Sequence, residues 1–446
     1  MKQYLEMVDK HQQAIVAAHD YIWQHPETGY REWKTHSYLE KAFRELGYDL
    51  VMPGDIPGFY TDIDTGRPGP TLLIFGELDA LICGTHPDAE AETGAVHACG
   101  HHLQAAALLG LAAALKEPGA LDGLSGKIRL MAVPAEELIE LEYRKQLRAE
   151  GKIHYFGGKV EFMYRGYLDG CDLSFMIHAG GGPVHSGSIG SGSNGCIVKS
   201  AIFEGKASHA GGAPHQGINA LYAANLALNA INSLRETFRD SDHIRVHPII
   251  TAGGEAVNAI PERVVIENYV RGATMESITA ANAKVNRATA AAAAALGAKV
   301  TLCDTPGYWP RYYDPGMMQV MKEAMEAVLE KVTFNPAGWG TGCSDIGDVS
   351  TIMPTVHPSI GGATGTAHGN DFRVPEPAAS CVDSVKVQFI ALRLLLENHA
   401  QRAREIVENY KPRFACKEDY FAYVDQLAKD QQAVNYDPDG SIWLTF

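Results

Sequence analysis

The run Val96-His97-Ala98-Cys99-Gly100-His101-His102 constrains this chain more than any other feature. It follows an apolar, strand-like stretch and precedes an Ala/Leu-rich segment, Leu103 to Lys116, with the pattern of a helix. A Cys and a His two positions apart cannot share one face of a regular helix. In the turn ahead of a helix they can converge, and Gly100 permits the tight backbone between them. Thiolate and imidazole at that spacing point to transition-metal ligation. The competing reading is a small buried Cys beside a capping His.

The chain has 446 residues, which suggests more than one domain, and 46% of them are hydrophobic, enough for a large core. No apolar stretch approaches the ~18 residues of a membrane span. The opening Met1-Lys2-Gln3-Tyr4-Leu5-Glu6 lacks the basic-then-apolar pattern of a secretory signal. Eight scattered cysteines without a compact disulfide pattern fit a reducing cytoplasm. A formal net charge of −15 argues against a broad basic surface for nucleic acid. A local Arg or His can still hold one substrate carboxylate.

Residues from about Tyr4 to Leu50 have helical spacing, interrupted by the loop His25-Pro26-Glu27-Thr28-Gly29-Tyr30. Thr71 to Gly76, Lys127 to Val133 and Asp172 to His178 read as buried strands, with the Leu103 helix between the first two. This alternation predicts an α/β domain with a sheet covered by helices on both faces. From Asn194 to about Asp304 the order changes to strand, loop, helix, two strands, helix, strand, with helices over Asn219 to Arg235 and Ser277 to Leu296. That pattern predicts an inserted α+β domain, which a fold tolerates when both ends of the insert lie near one hinge. The expected organisation is a catalytic domain in two parts, 1–193 and 307–446, around an insert at 194–306. Helices are expected over Gly316 to Lys331 and Ala378 to Arg404.

Several polar residues stand where such a fold places chemistry. Glu136 and Glu137, in Pro134-Ala135-Glu136-Glu137, follow the second buried strand and face the crevice where open α/β sheets bind ligands. Adjacent carboxylates point in different directions, so one can bind metal while the other acts as general base; a solvated acidic loop is the plainer reading. Asp79 ends the first strand and can orient a ligating His, or simply cap a turn. His178 ends the third strand, and His368 lies in the Gly-rich loop from Gly361. In the insert, His209 and Asn258 could polarise a substrate carbonyl, or serve as turn residues.

Together, from His25-Pro26-Glu27 to about Phe372, these motifs resemble metallopeptidase family twenty, the aminoacylase and carboxypeptidase-like amidohydrolases. The Cys-Gly-His form and the run Cys343-Ser344-Asp345-Ile346-Gly347-Asp348-Val349-Ser350 look like the branch containing indole-acetyl-amino-acid hydrolases and aminobenzoyl-glutamate hydrolase. In that branch a Cys replaces the bridging Asp found elsewhere in the family. The resemblance implies a phosphorylase/hydrolase-like catalytic domain with a ferredoxin-like lid and dimerisation domain. It implies Cys99, His101, Glu137, His178 and His368 as metal ligands, Glu136 as general base and Asp79 as the carboxylate behind them. It also implies His209 as a lid His that in dimeric relatives reaches the partner's site, and Asn258 as a substrate-binding Asn. One or two divalent ions are expected, manganese or zinc first and cobalt or nickel next, in a homodimer paired through the lid. Such ions polarise an amide carbonyl and activate a water, while Glu136 moves the proton to the leaving amine and His209 stabilises the oxyanion.

Two departures limit what the resemblance carries. Position 102 is His where the branch usually has Asp or Asn, so His102 is either an extra ligand or a perturbing neighbour. After Glu137, where the family commonly has glycines, the chain runs Leu138-Ile139-Glu140-Leu141-Glu142-Tyr143-Arg144 and continues polar to Gly158, with spacing that predicts an extra helix near the site. His357 and Arg271 are candidates for a substrate carboxylate, and each is equally read as structural. The leading expectation is a metal-dependent amidohydrolase of N-acyl or N-aroyl amino acids or small dipeptides. The alternatives are hydrolysis of another C–N bond, such as an aryl amine with release of ammonia, and a non-catalytic binding protein on the same fold.

Overall fold

The computed structural model describes residues 1–446 as two compact units. The first comprises Met1–Gly192, Tyr312–Trp339 and Ser344–Lys417; the second comprises Ser193–Arg311, Gly340–Cys343 and Glu418–Phe446. The expected second catalytic segment, 307–446, is therefore divided. Its last part joins the insert because the Lys429–Gln432 strand pairs antiparallel with Lys299–Pro306. Neither a composition shift nor a Gly/Pro cluster marks that return. No helix is long and apolar enough to cross a membrane.

The first unit is built on a five-stranded mixed sheet. The Thr71–Glu77 strand is parallel to Lys127–Val133 on one side and to Leu173–Phe175 on the other, and Thr355–Val356 is parallel to Leu173–Phe175. Phe59–Asp64 closes the edge antiparallel to Lys127–Val133. All of Thr71–Glu77 except its first residue is buried, which explains its near-continuous apolar run. Four parallel strands thus release their chains at one end. Leu78-Asp79, Pro134–Glu137, the turn to His178 and His357 all follow carboxyl ends of this sheet, where ligands bind in open α/β folds.

The His101–Leu115 helix is buried at every position, as its all-round Ala/Leu composition requires. It packs on Thr71–Glu77, and against the helices Gln12–Gln24 and Pro377–Leu396. Gly110 makes that crossing possible: a Cβ there would lie 2.7 Å from both Ile15 and Val385 side-chain atoms. The expected helix over Ala378 to Arg404 ends at Leu396, because Asn398, His399 and Ala400 adopt left-handed conformations before a new helix, Gln401–Asn409. Likewise the helix expected to Lys331 is Pro315–Glu326, and Lys331–Phe334 forms a strand beside Ser186–Ile189.

In the second unit, the Gly195–Glu204 strand lies between Arg263–Gly272 and Lys299–Pro306, antiparallel to both. The helices Ala220–Ser233 and Met275–Ala295 pack together and against these strands. Thr274 starts the latter with a reciprocal capping box to Ser277. Within this layer Lys199 is buried in an ion pair with Asp304, whose other oxygen accepts from Asn282 at 2.6 Å.

Gly110→Val is expected to lower stability by about 1–3 kcal/mol through overpacking at the helix crossing. Denaturant unfolding of the metal-free protein reads this, and an unchanged midpoint would show that the crossing has room to relax.

Candidate metal and hydrolase site

Gly100 turns the chain into the His101–Leu115 helix with φ of 98°, a conformation that favours glycine. A Cβ at Gly100 would meet Ala179 at 2.5 Å, so the turn closes directly onto the strand that begins with His178. Across that contact Cys99 Sγ lies 3.5 Å from His178 Nε2. His178 Nδ1 is 2.6 Å from the Ala179 carbonyl, which directs Nε2 towards the thiol. The His368 backbone N–H donates to Ala98 at 2.8 Å and pins the Gly-rich loop to the same turn, and His368 Nε2 lies 3.2 Å from Glu137.

Asp79 joins the two halves of the cluster. Its Oδ1 is 3.1 Å from His101 Nδ1, and its Oδ2 accepts the Glu137 backbone N–H at 2.8 Å. His101 Nε2 then faces Glu77 at 3.2 Å and Glu136 at 3.9 Å. Ligand atoms of Cys99, His101 and His178 lie within 4.8 Å of one another, as do those of Cys99, Glu137 and His368. The two groups share Cys99, and their thiolate, imidazole and carboxylate donors suit a divalent transition metal. A third group of that kind, Glu77, His101 and Glu136, competes for the same His101. Glu77 is otherwise engaged, because its two oxygens accept from Lys159 and from Gln104.

Charge in the cluster is graded. Burial raises the Cys99 thiol, but the His101 and His178 rings outweigh it and bring the pKa down to about 6. Burial likewise opposes ionisation of Glu137, yet His368 holds it at about 2. Hydrogen bonds to Cys99 and Glu137 raise His368 to about 11. Glu136 goes the other way: burial, then the neighbouring Glu77 and Glu137 carboxylates, push it well above the usual carboxylate range. Two adjacent carboxyl groups thus have opposite protonation tendencies, the pattern expected when one holds charge and the other moves a proton.

Beneath them Lys159, fully buried, donates to Glu77 and Asp345. Residue-type reasoning missed Glu77 and Lys159. The available signal for Glu77 was the strand period, since Glu77 and Asp79 are two apart and fall on one side. A lysine in a polar segment gives no comparable signal.

Among the remaining expected residues, His357 is buried with its ring 5.6 Å from that of His178. His102 is not among the metal-holding groups. It is fully buried, its ring 4.5 Å from His19 and 4.9 Å from Trp23. The expected extra helix is present as Leu141–Ala149. In the second unit the backbone brings His209 and Asn258 together, through a bridge of His209 with Ala259 and a hydrogen bond from Ala210 to the Asn258 carbonyl. His209 Nδ1 accepts from Gly211 at 3.1 Å and Gly212 at 2.9 Å, so the neutral ring carries its proton on Nε2. Arg271 stands opposite Cys196 on the neighbouring strand and over the Tyr269 ring.

A family model described as Peptidase family M20/M25/M40 matches residues 58–392, and the chain belongs to that family of hydrolases acting on C–N bonds. It is 28% identical to an indole-3-acetyl-aspartic acid hydrolase of Enterobacter agglomerans over 71% of this chain and 81% of that protein. It is 27% identical to the human Xaa-Arg dipeptidase over 87% of this chain and 84% of that one. In fold it resembles a Bacillus subtilis dinuclear metal binding peptidase of the M20 family (TM-score 0.63, 20% identity, 87% of this chain and 99% of that one). It also resembles an aminobenzoyl-glutamate utilization protein of Klebsiella pneumoniae (TM-score 0.64, 21% identity, 87% and 97%).

Two outcomes follow from this geometry. Metal-free His368 is protonated below about pH 11, so a metal taking its Nε2 must displace that proton. Calorimetric titration in buffers of different ionisation enthalpy should show proton release at pH 7.5, and apparent affinity should fall as pH falls. Affinity independent of pH would remove His368 from the ligand set. Lys159→Met leaves Glu77 and Asp345 buried without their cation and should cost about 3–5 kcal/mol, read by urea unfolding of the metal-free protein. A wild-type midpoint would show that the lysine is dispensable.

Proposed function

We propose that this protein is a metal-dependent amidohydrolase that cleaves the amide bond of an N-acyl or N-aroyl amino acid, or a small dipeptide, with a free carboxylate. The observation that carries the reading is the pair of donor groups meeting at Cys99, directly beside a carboxyl group of raised pKa, Glu136. Cys99, His101 and His178 would hold one ion and Cys99, Glu137 and His368 a second, with manganese or zinc favoured and cobalt or nickel compatible. When bound, such ions supply Lewis acidity towards the amide carbonyl and the attacking water.

The chain's own groups do the rest. Glu136 accepts the proton of the attacking water and delivers it to the leaving amine. Asp79 holds His101 in one tautomer and fixes the Glu137 backbone. His209, with its proton on Nε2, donates to the developing oxyanion, and Asn258 beside it binds the substrate. His357 and Arg271 are the candidates for the substrate carboxylate. The second unit, an antiparallel sheet with two helices, acts as a ferredoxin-like lid inserted between catalytic segments at about 1–193 and 307–417. Its helix exposes Tyr222 and Leu226 one turn apart, and its edge strand Ile249–Ala252 is exposed throughout. These surfaces support a homodimer formed through the lid, because an open edge strand with apolar neighbours pairs readily with a second copy. The scattered cysteines support a cytoplasmic location.

Hydrolysis of an aryl amine rested on residue 102 and on the segment after Glu137; the extra helix Leu141–Ala149 is there, but His102 packs among rings instead of joining the donor groups, so the amide reading is favoured. Metal-loaded protein should release free amino acid from one or more members of a panel of N-acyl and N-aroyl amino acids and dipeptides. Glu136→Ala should lower kcat by about 10²–10⁴ while retaining metal. A metal-loaded protein inert to that panel but releasing ammonia from aryl amines would replace this reading.

A further inference from the structure

Arg144 is among the largest fully buried side chains in the protein, 1% exposed, and is not itself one of the donor residues of the cluster. It lies in the first turns of the Leu141–Ala149 helix, within the polar segment that follows Glu137. Its guanidinium donates to three backbone carbonyls. Nη2 donates to Glu137, and Nη1 donates to Phe156 at 2.5 Å and Ala135 at 3.4 Å. One planar fork therefore closes the base of the segment, tying its beginning at Glu137 to its end at Phe156.

The same guanidinium braces the turn that carries the two carboxylates. Ala135 has φ of 58°, a left-handed conformation that a residue with a Cβ rarely adopts unless its surroundings impose it. Its N–H donates to Glu32 at 2.8 Å, and its carbonyl accepts from Arg144 and from the Gly158 N–H at 3.2 Å. The far side of the fork rests on Gly29, where a Cβ would lie 2.5 Å from Arg144 Nη2 and 2.9 Å from the Ala135 Cα. Gly29, Ala135 and Arg144 thus form one close-packed clamp, and the residues next along the chain from Ala135 are Glu136 and Glu137.

We infer that Arg144 is a positioning residue: by gripping the Ala135 and Glu137 carbonyls it fixes where Glu136 and Glu137 point, and so sets the affinity of the half-site formed by Glu137 and His368. The inference rests on the metal-site reading above. It separates the two half-sites, because the carbonyls that Arg144 grips belong to the turn that carries Glu137, whereas Cys99, His101 and His178 stand on the Gly100 turn and the His178 strand.

The test is titration of metal-free wild-type and Arg144→Met proteins with manganese(II) alone, together with amide hydrogen exchange of residues 134–139. The variant should bind one ion as wild type does and the other at least ~tenfold more weakly, with exchange in 134–139 accelerated and exchange in Thr71–Glu77 unchanged. Wild-type affinity for both ions would overturn the inference, and so would equal weakening of both with faster exchange throughout. If Arg144→Met does not fold, Arg144→Lys keeps the buried charge but loses the planar fork and should give the same selective loss. Wild-type protein that takes up no ion would overturn the functional reading itself. Exchange in 134–139 would then still report the clamp, accelerated if Arg144 holds the turn and unchanged if it does not.

Discussion

The Asp79 carboxylate is the interaction on which the rest of the site depends. One oxygen meets His101 Nδ1 and the other accepts the Glu137 N–H, so a single buried side chain sets an imidazole and a neighbouring carboxylate relative to each other. Parallel pairing of Thr71–Glu77 with Lys127–Val133 makes this possible. Glu77 lies opposite Val133, and Leu78 donates to Val133 at 3.0 Å, so Asp79 and the Pro134–Glu137 turn leave the sheet side by side. Register in a sheet buried on both faces is strongly specified by packing. The donor geometry therefore inherits the stability of the core.

Electrostatics then divides the labour. Lys159 pairs with both Glu77 and Asp345 below the cluster, and His368 holds Glu137 ionised. Glu136 is left buried between like charges. A carboxyl group in that environment is a stronger base than usual, and one beside it favours the charge a cation needs. The chain belongs to Peptidase family M20/M25/M40, and in the proposed reading the charged carboxylate serves the metal while Glu136 moves the proton.

Much of this was legible in the sequence because its signals are local. The Cys99-Gly100-His101 spacing, the Glu136-Glu137 pair after an apolar run and the strand ends at Asp79 and His178 each fall within a few residues. The buried strands Thr71–Glu77 and Lys127–Val133 follow from unbroken apolar runs. What was not legible depends on long-range contact. Lys159 reads as a surface residue until Glu77 and Asp345 close on it from distant segments. His102 reads as a possible ligand until His19 and Trp23 enclose its ring. The break after Leu396 is invisible because Asn398, His399 and Ala400 take left-handed conformations without a glycine among them. Strand pairing of Lys429–Gln432 with the second unit has no turn or composition signal either.

Cys99 is the one donor common to both groups, so it offers the most direct measurement. Elemental analysis of wild-type and Cys99→Ala proteins, each loaded with manganese or zinc and freed of excess, reads the ions retained per protomer. The account predicts that wild type retains more than one ion and that the variant retains fewer, since one side chain serves both groups. A variant that keeps the full wild-type complement would contradict a site built around a shared thiolate.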